Sequence, residues 1–172
     1  MNFIKKNFIC VILLFSAVLA SSSAARAQTK IEVLNGEALT KIVPTSFYFA
    51  GQSAQTQMRN AAAAQLGENR NVIAGLVDTS GYSTEISGKY EGFLITDSPI
   101  NVGDEILKTG AYGFGFSKDG KMNIFDLSGK QILSVGATND TEMKRPRPLM
   151  MTGAANGIRF YKGKTYVMIS AK

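Results

Sequence analysis

Short apolar runs separated by turn residues recur along the chain from residue 30 to its end, and most of them alternate between apolar and polar positions. This alternation is typical of half-buried strands, and the Gly, Asp, Asn, Ser and Pro residues between the runs favour turns. The pattern predicts strands at 30–34, 46–50, 71–77, 90–96, 105–107, 111–117, 122–127, 131–135, 148–152, 157–161 and 165–170. We therefore expect an all-β, antiparallel domain.

The segment 112–133, YGFGFSKDGKMNIFDLSGKQIL, predicts three consecutive strands whose register depends on the first turn. A two-residue turn at Asp119-Gly120 would place Phe114 opposite Phe125 and mix apolar with polar side chains on both faces. A three-residue loop closed by a left-handed Gly120 would place Phe114 opposite Ile124 and collect the apolar residues on one face. Since a slip of one residue reverses every side chain, we expect the second register.

That register places three aromatic residues on the apolar face, and these are the candidate ligand-facing residues: Tyr112, Phe114 and Phe116. The opposite face is lighter but not polar, with Gly113 opposite Phe125, so we expect another part of the chain or a partner to cover it.

Two architectures fit these strands. The hairpin meander favours an antiparallel sheet that closes into a small barrel or a barrel-like sheet. The alternative is an immunoglobulin-like β-sandwich, because LKTGAY at 107–112 resembles the tyrosine corner of those domains. One segment, 53–68, predicts either a short helix near 54–66 or a polar edge strand followed by an alanine loop.

The N-terminal 27 residues have the organisation of a signal peptide. Lys5 and Lys6 precede an apolar run at 8–20, and the segment ends in small residues up to Ala27. We expect cleavage after Ala27, which leaves residues 28–172 as a single domain in the periplasm or outside the cell. This largely apolar run of 13 residues is shorter than the roughly 20 that span a bilayer as a helix, so no membrane span is predicted.

Composition excludes several kinds of active site. The chain has no histidine, and its one cysteine, Cys10, lies in the signal peptide. Ser-His-Asp and Cys-His sites and histidine-ligated metals are therefore excluded, and no glycine-rich phosphate loop is present. We predict no cofactor, no metal and no enzymatic activity. A carboxylate-dependent hydrolase is the remaining enzymatic alternative, because paired Asp or Glu side chains can act as acid and base.

Positive charge is concentrated near the C-terminus. Without the signal peptide, 16 Lys and Arg stand against 13 Asp and Glu, a formal charge of +3. The candidate anion-binding residues are Lys144, Arg145, Arg147 and Arg159. In KRPRPL at 144–149 the prolines hold the arginines in extended backbone, where they can meet the oxygens of a lipid head group, lipopolysaccharide or acidic polysaccharide. The same residues would also protect an edge strand from aggregation, and few aromatics accompany them to support binding of nucleic acid.

The segments SAQTQMRN, GLVDTSGY, KYEGFLIT, GAYGFGF and RPRPL resemble a group of small exported bacterial proteins of unassigned function, found especially in Gram-negative lineages from soil. This resemblance implies an envelope or secreted location and no active site. The leading hypothesis is a non-enzymatic binding module for an apolar or amphipathic ligand or an anionic envelope component. The alternatives are a structural or assembly protein that binds a protein partner through a sheet face, and the carboxylate-dependent hydrolase.

Overall fold

The computed structural model describes residues 30–68 and 70–172, and within them it contains fourteen strands and two short helices. In chain order these are β1 (Ile31–Leu34), α1 (Gly36–Ile42), β2 (Ser46–Phe49), β3 (Gln52–Leu66), β4 (Asn71–Val77), α2 (Thr84–Ser87), β5 (Gly92–Thr96), β6 (Ile100–Val102), β7 (Glu105–Leu107), β8 (Gly110–Phe116), β9 (Lys121–Phe125), β10 (Gln131–Gly136), β11 (Thr138–Asn139), β12 (Arg147–Ala154), β13 (Gly157–Gly163) and β14 (Thr165–Ala171). Neither of these helices is long and apolar enough to cross a membrane. The predicted signal peptide lies outside the described residues.

The strands form two antiparallel sheets. The first has the order β1-β3-β4-β5-β8-β9-β10, with β2 also paired to β3, and the second has the order β12-β13-β14-β6-β7, with β11 paired to β14. The predicted all-β antiparallel fold is confirmed, and each of the predicted strands is present. Within the described residues the sheets do not close into a barrel. They pack against each other around one core, an arrangement consistent with a sandwich-like or a barrel-like all-β fold.

The main core lies between the two sheets. Alternate residues of β4, β5, β8 and β9 point into it, which is the consequence of the period-2 geometry of strands. Phe114 from the first sheet and Phe160 from the second meet edge to face, with ring centroids 5.2 Å apart. Both rings are completely buried, so aromatic side chains fill the interior between the two sheets.

The register predicted for 112–133 is confirmed. Phe114 pairs with Ile124 across β8 and β9, and Ile124 pairs with Leu133 across β9 and β10. Gly120 closes the first turn at φ +76°, a left-handed conformation that costs glycine little. The apolar side chains of the three strands therefore collect on the face that packs against the second sheet.

A second, smaller core covers the other face of the first sheet. The chain folds β2 and the segment around α2 over this face, and the ring of Phe49 stacks on Tyr90 at a centroid distance of 3.9 Å. Gly113 pairs with Phe125 as predicted, and the ring that stands in its missing side-chain space is that of Phe49. The chain itself thus covers the lighter face around Gly113 and Phe125, whereas Ile132 on β10 remains exposed.

The segment predicted as a helix near 54–66 is instead the long strand β3, so the helix alternative is wrong. The alanine segment is part of the strand rather than a loop. Ala63 and Ala64 pair with β1 on one edge and β4 on the other, and both are completely buried. Hydrogen bonding on both edges, together with burial, outweighs the helix propensity of alanine.

Candidate functional site

The three candidate ligand-facing aromatics point between the two sheets, but they do not line an empty lumen. Phe114 is enclosed by the core, where its ring contacts those of Phe116 and Phe160. Tyr112 is half-buried, and its hydroxyl donates a hydrogen bond of 2.9 Å to the backbone carbonyl of Lys108. That bond reproduces locally the tyrosine corner indicated by LKTGAY. Phe116 lies at the edge of the core, where it lines an open surface cleft together with Lys118 and Lys162.

A pocket of about 260 Å³ opens where β12 of the second sheet passes β1 and β3 of the first. We call it the arginine pocket. Its lining residues are Val33, Leu34, Asn35, Gly36, Leu39, Met58, Arg59, Ala61, Ala62, Arg147, Leu149, Met150 and Met151. Most of these side chains are apolar, and the two charged ones are both cationic. The pocket therefore combines apolar lining residues, of which Leu149 and Met151 are almost fully buried, with a concentration of positive charge.

Arg59 reaches this pocket from an irregularity in β3. Thr56 pairs with Val77 and Ala61 with Gly75, so the residues between them on β3 bulge out of the pairing with β4. Bulges of this kind redirect side chains, and they are common beside binding sites. Sequence reasoning missed Arg59, because the alternating polar residues before the alanines are also typical of an ordinary edge strand.

Two side chains hold the bulge in place. The Gln57 amide donates a hydrogen bond of 3.1 Å to the carbonyl of Val77, which satisfies a backbone acceptor at the interruption in the pairing. The Asn60 amide in turn donates 2.8 Å to Oε1 of Gln57. Met58 and Arg59, the pocket residues, lie between these two anchors in the sequence.

Arg147 enters the pocket from the first residue of β12. The pairing of β12 with β13 is irregular between Arg147 and Met150, and Leu149 and Met151 then point into the main core. Arg147 is exposed. Within the described residues neither Arg147 nor Arg59 forms an ion pair with a carboxylate.

The other candidate anion-binding residues do not join this pocket. Lys144 and Arg145 are exposed in the turn that leads into β12. Arg159 lies on the outer face of the second sheet, with its guanidinium 5.1 Å from the ring centre of Tyr166 and 4.0 Å from the Asp140 carboxylate. Hydrogen bonding to Tyr161, together with nearby negative charge, raises the pKa of Arg159. The structure thus brings Arg147 together with Arg59 and leaves Arg159 engaged elsewhere.

A second depression, which we call the lysine cleft, adjoins the start of β12 on its other side. It is more open, has a volume of about 430 Å³, and is lined by Phe116, Ser117, Lys118, Gly120, Pro148, Lys162, Gly163 and Thr165. Lys162 forms an ion pair with Oε1 of Glu91, whose Oε2 accepts a hydrogen bond of 2.9 Å from the backbone N–H of Phe116. Burial lowers the pKa of Lys162, although the Glu91 carboxylate opposes this by favouring the charged form.

Two of the acidic side chains in turns, Asp78 and Asp126, are engaged locally. Within the described residues there is no group of three or more His, Cys, Asp or Glu side chains that could hold a metal ion. Hydrogen bonds from neighbouring serines lower the pKa of Asp78 and Asp126, whereas a general acid needs a raised pKa. Both aspartates hold the backbone of their own turns.

Among the described residues, two cations without carboxylate partners lie beside apolar residues at the arginine pocket. The lysine cleft and the surroundings of Arg159 do not combine these features. Comparison of the chain with protein-family models, with curated proteins and with solved structures finds no match.

Proposed function

We propose that this protein is an exported, non-enzymatic binding module that holds a small amphipathic anion in the arginine pocket. The observation that carries the proposal is the presence of Arg59 and Arg147 on one apolar-walled pocket, one from each sheet. Two guanidinium groups at one opening repel each other unless an anion lies between them. A carboxylate or phosphate group can accept charge-assisted hydrogen bonds from both.

The wall of the pocket suits an alkyl chain. Leu39, Met58 and Met150 are partly exposed apolar residues of the lining, and the two methionines have flexible thioether side chains that adapt to ligands of different shape. A volume of about 260 Å³ lies just below the usual range for drug-sized ligands, roughly 300–1,000 Å³. We therefore propose a ligand with one short chain and one anionic head group rather than a lipid with several long chains.

Isothermal titration calorimetry with decyl phosphate, kept below the concentration at which it forms micelles, tests this proposal. We expect binding at one site, weaker binding of neutral decyl glucoside and none of decyltrimethylammonium. Arg59→Gln and Arg147→Gln should each weaken binding of decyl phosphate roughly ten- to hundred-fold, because each removes a charge-assisted hydrogen bond.

Arg145→Gln is the matched control, because Arg145 is an exposed arginine two residues from Arg147 that does not line the pocket. Its affinity for decyl phosphate should equal that of the unmodified protein. Equal affinity for the anionic and the neutral amphiphile, or equal losses in all three variants, would contradict a site built around Arg59 and Arg147.

Fewer observations support the alternative of a structural or assembly protein that binds a protein partner through a sheet face. The sheet face on which it depended is covered by β2 and the segment around α2, and Phe125 on that face is buried. Leu127 and Ile132 remain 42% and 45% exposed near the turn between β9 and β10. This patch is small, so the arginine pocket is the better-supported site.

A further inference from the structure

Five more cationic side chains lie near the start of β12, in addition to the two that line the arginine pocket. We call this region the basic margin. It consists of Arg59, Lys118, Lys144, Arg145, Arg147, Lys162 and Lys164. All of these residues are exposed except Lys162, which is half-buried. The margin is continuous because Arg147 pairs with Gly163, the residue between Lys162 and Lys164.

The carboxylates near this margin do little to neutralise it. Glu91 is engaged by Lys162 and by the backbone of Phe116. Asp140 accepts a hydrogen bond of 2.8 Å from the Tyr161 hydroxyl and is largely covered. The exposed carboxylates here are Glu142, in the turn between β11 and β12, and Asp119, which pairs with Lys121, so the cations outnumber them. The margin therefore keeps a positive potential that attracts anionic surfaces.

Apolar side chains accompany the charges. Phe116 and Pro148 line the lysine cleft, and Met150 lines the arginine pocket on the other side of the same strand. A polysaccharide site would need a groove with a row of polar hydrogen-bonding groups. Here the cations lie on both sheets around two depressions that include apolar residues, an arrangement that matches the boundary between lipid head groups and acyl chains.

We propose that the basic margin docks the protein on the surface of an anionic lipid bilayer, without insertion of a spanning segment. The charge complementarity of the margin argues for this partner, since several Lys and Arg at one surface together give strong, salt-dependent attraction to anionic lipids. The proposal goes beyond binding in the arginine pocket, because a bilayer surface can be held by the margin whether or not that pocket is occupied.

Co-sedimentation with lipid vesicles tests the proposal. We expect binding to vesicles of phosphatidylglycerol and phosphatidylcholine, no binding to phosphatidylcholine alone, and release when salt is raised from about 0.1 M to about 1 M, where the Debye length falls to roughly 3 Å. The double variant Lys144→Gln/Arg145→Gln should bind about thirty-fold more weakly, because it removes two surface cations that do not line the arginine pocket.

Arg70→Gln/Lys108→Gln is the matched control. Arg70 precedes β4 and Lys108 follows β7 at the far edge of the second sheet, and both are exposed. This variant should bind vesicles like the unmodified protein and keep the same melting temperature. Equal losses in both double variants, or retention on an acidic polysaccharide column without binding to vesicles, would overturn the proposal. Titration with decyl phosphate tests the arginine pocket independently of the vesicles. A negative result for the pocket can therefore be distinguished from a negative result for the basic margin.

Discussion

The ring of Phe49 fills the space that a side chain at Gly113 would need. A Cβ atom built on Gly113 collides with that ring, which is itself stacked on Tyr90 and in edge contact with Phe125. The ring is therefore confined on several sides and cannot move away cheaply. This contact explains why β8 carries a glycine at a buried position of the sheet. It also gives a direct test of how the second, smaller core packs on the first sheet.

Gly113→Ala should lower the free energy of unfolding by about 2 kcal/mol or more, the cost of overpacking a filled core. Gly136→Ala in β10 is the control, since nothing lies within 4 Å of a Cβ at that position. Its effect should be close to zero. Adding Phe49→Leu to Gly113→Ala should recover part of the loss. Urea denaturation of the unmodified protein, Gly113→Ala, Phe49→Leu and the double variant measures the coupling. If the two substitutions change the free energy of unfolding by amounts that simply add, the Phe49 ring does not clash with a side chain at position 113.

Gly120 is required for a different reason. No atom lies within 4 Å of a Cβ at this position, but the residue has φ +76° in the turn between β8 and β9. Gly120→Ala should therefore cost about 1 kcal/mol through backbone strain alone. Gly120→Asn should cost less, because asparagine tolerates the left-handed region better. Equal effects of the two substitutions on thermal stability would contradict this explanation.

The sequence was sufficient for the strands around Gly120 because their information is local. Alternation and one turn glycine determine the register, and a wrong register would expose apolar side chains. The arginine pocket could not be predicted in this way. Arg59 and Arg147 are far apart in sequence and meet only because β12 passes beside β3. The strand β3 was ambiguous for a similar reason, since Ala63 and Ala64 favour a helix until β1 and β4 pair with them.

Alkaline pH should destabilise the protein. Burial raises the pKa of Tyr82, Tyr90, Tyr112 and Tyr161 above the ordinary value of 10.0. Below pH 10 these phenols are protonated in both the folded and the unfolded chain, so they add no pH dependence. Above pH 10 the unfolded chain releases its phenolic protons before the folded one, and stability falls. Melting temperatures measured between about pH 8 and about pH 11 should be flat at first and then decline.

Tyr90→Phe isolates the largest contributor to this decline. The Tyr90 hydroxyl is buried and has no hydrogen-bond partner among the described residues. Its removal should leave stability at neutral pH unchanged or up to about 1 kcal/mol higher, because an unsatisfied buried group is lost. The alkaline decline should become shallower. Tyr48→Phe, at an exposed position, should change neither quantity. A large loss of stability at neutral pH in Tyr90→Phe would reveal a hydrogen bond that this geometry lacks.

Gln57 should act as a positioning residue for Arg59. Its amide donates to the carbonyl of Val77 and accepts from Asn60, so Gln57→Ala releases both anchors of the bulge that carries Arg59. We expect a loss of stability of about 1 kcal/mol and a roughly ten-fold weaker affinity for decyl phosphate, with the affinity for decyl glucoside unchanged. A purely structural role would lower both affinities together. Gln55→Ala, at an exposed position on the same strand, should leave binding intact, and calorimetry on the two variants decides whether the bulge exists to aim the guanidinium.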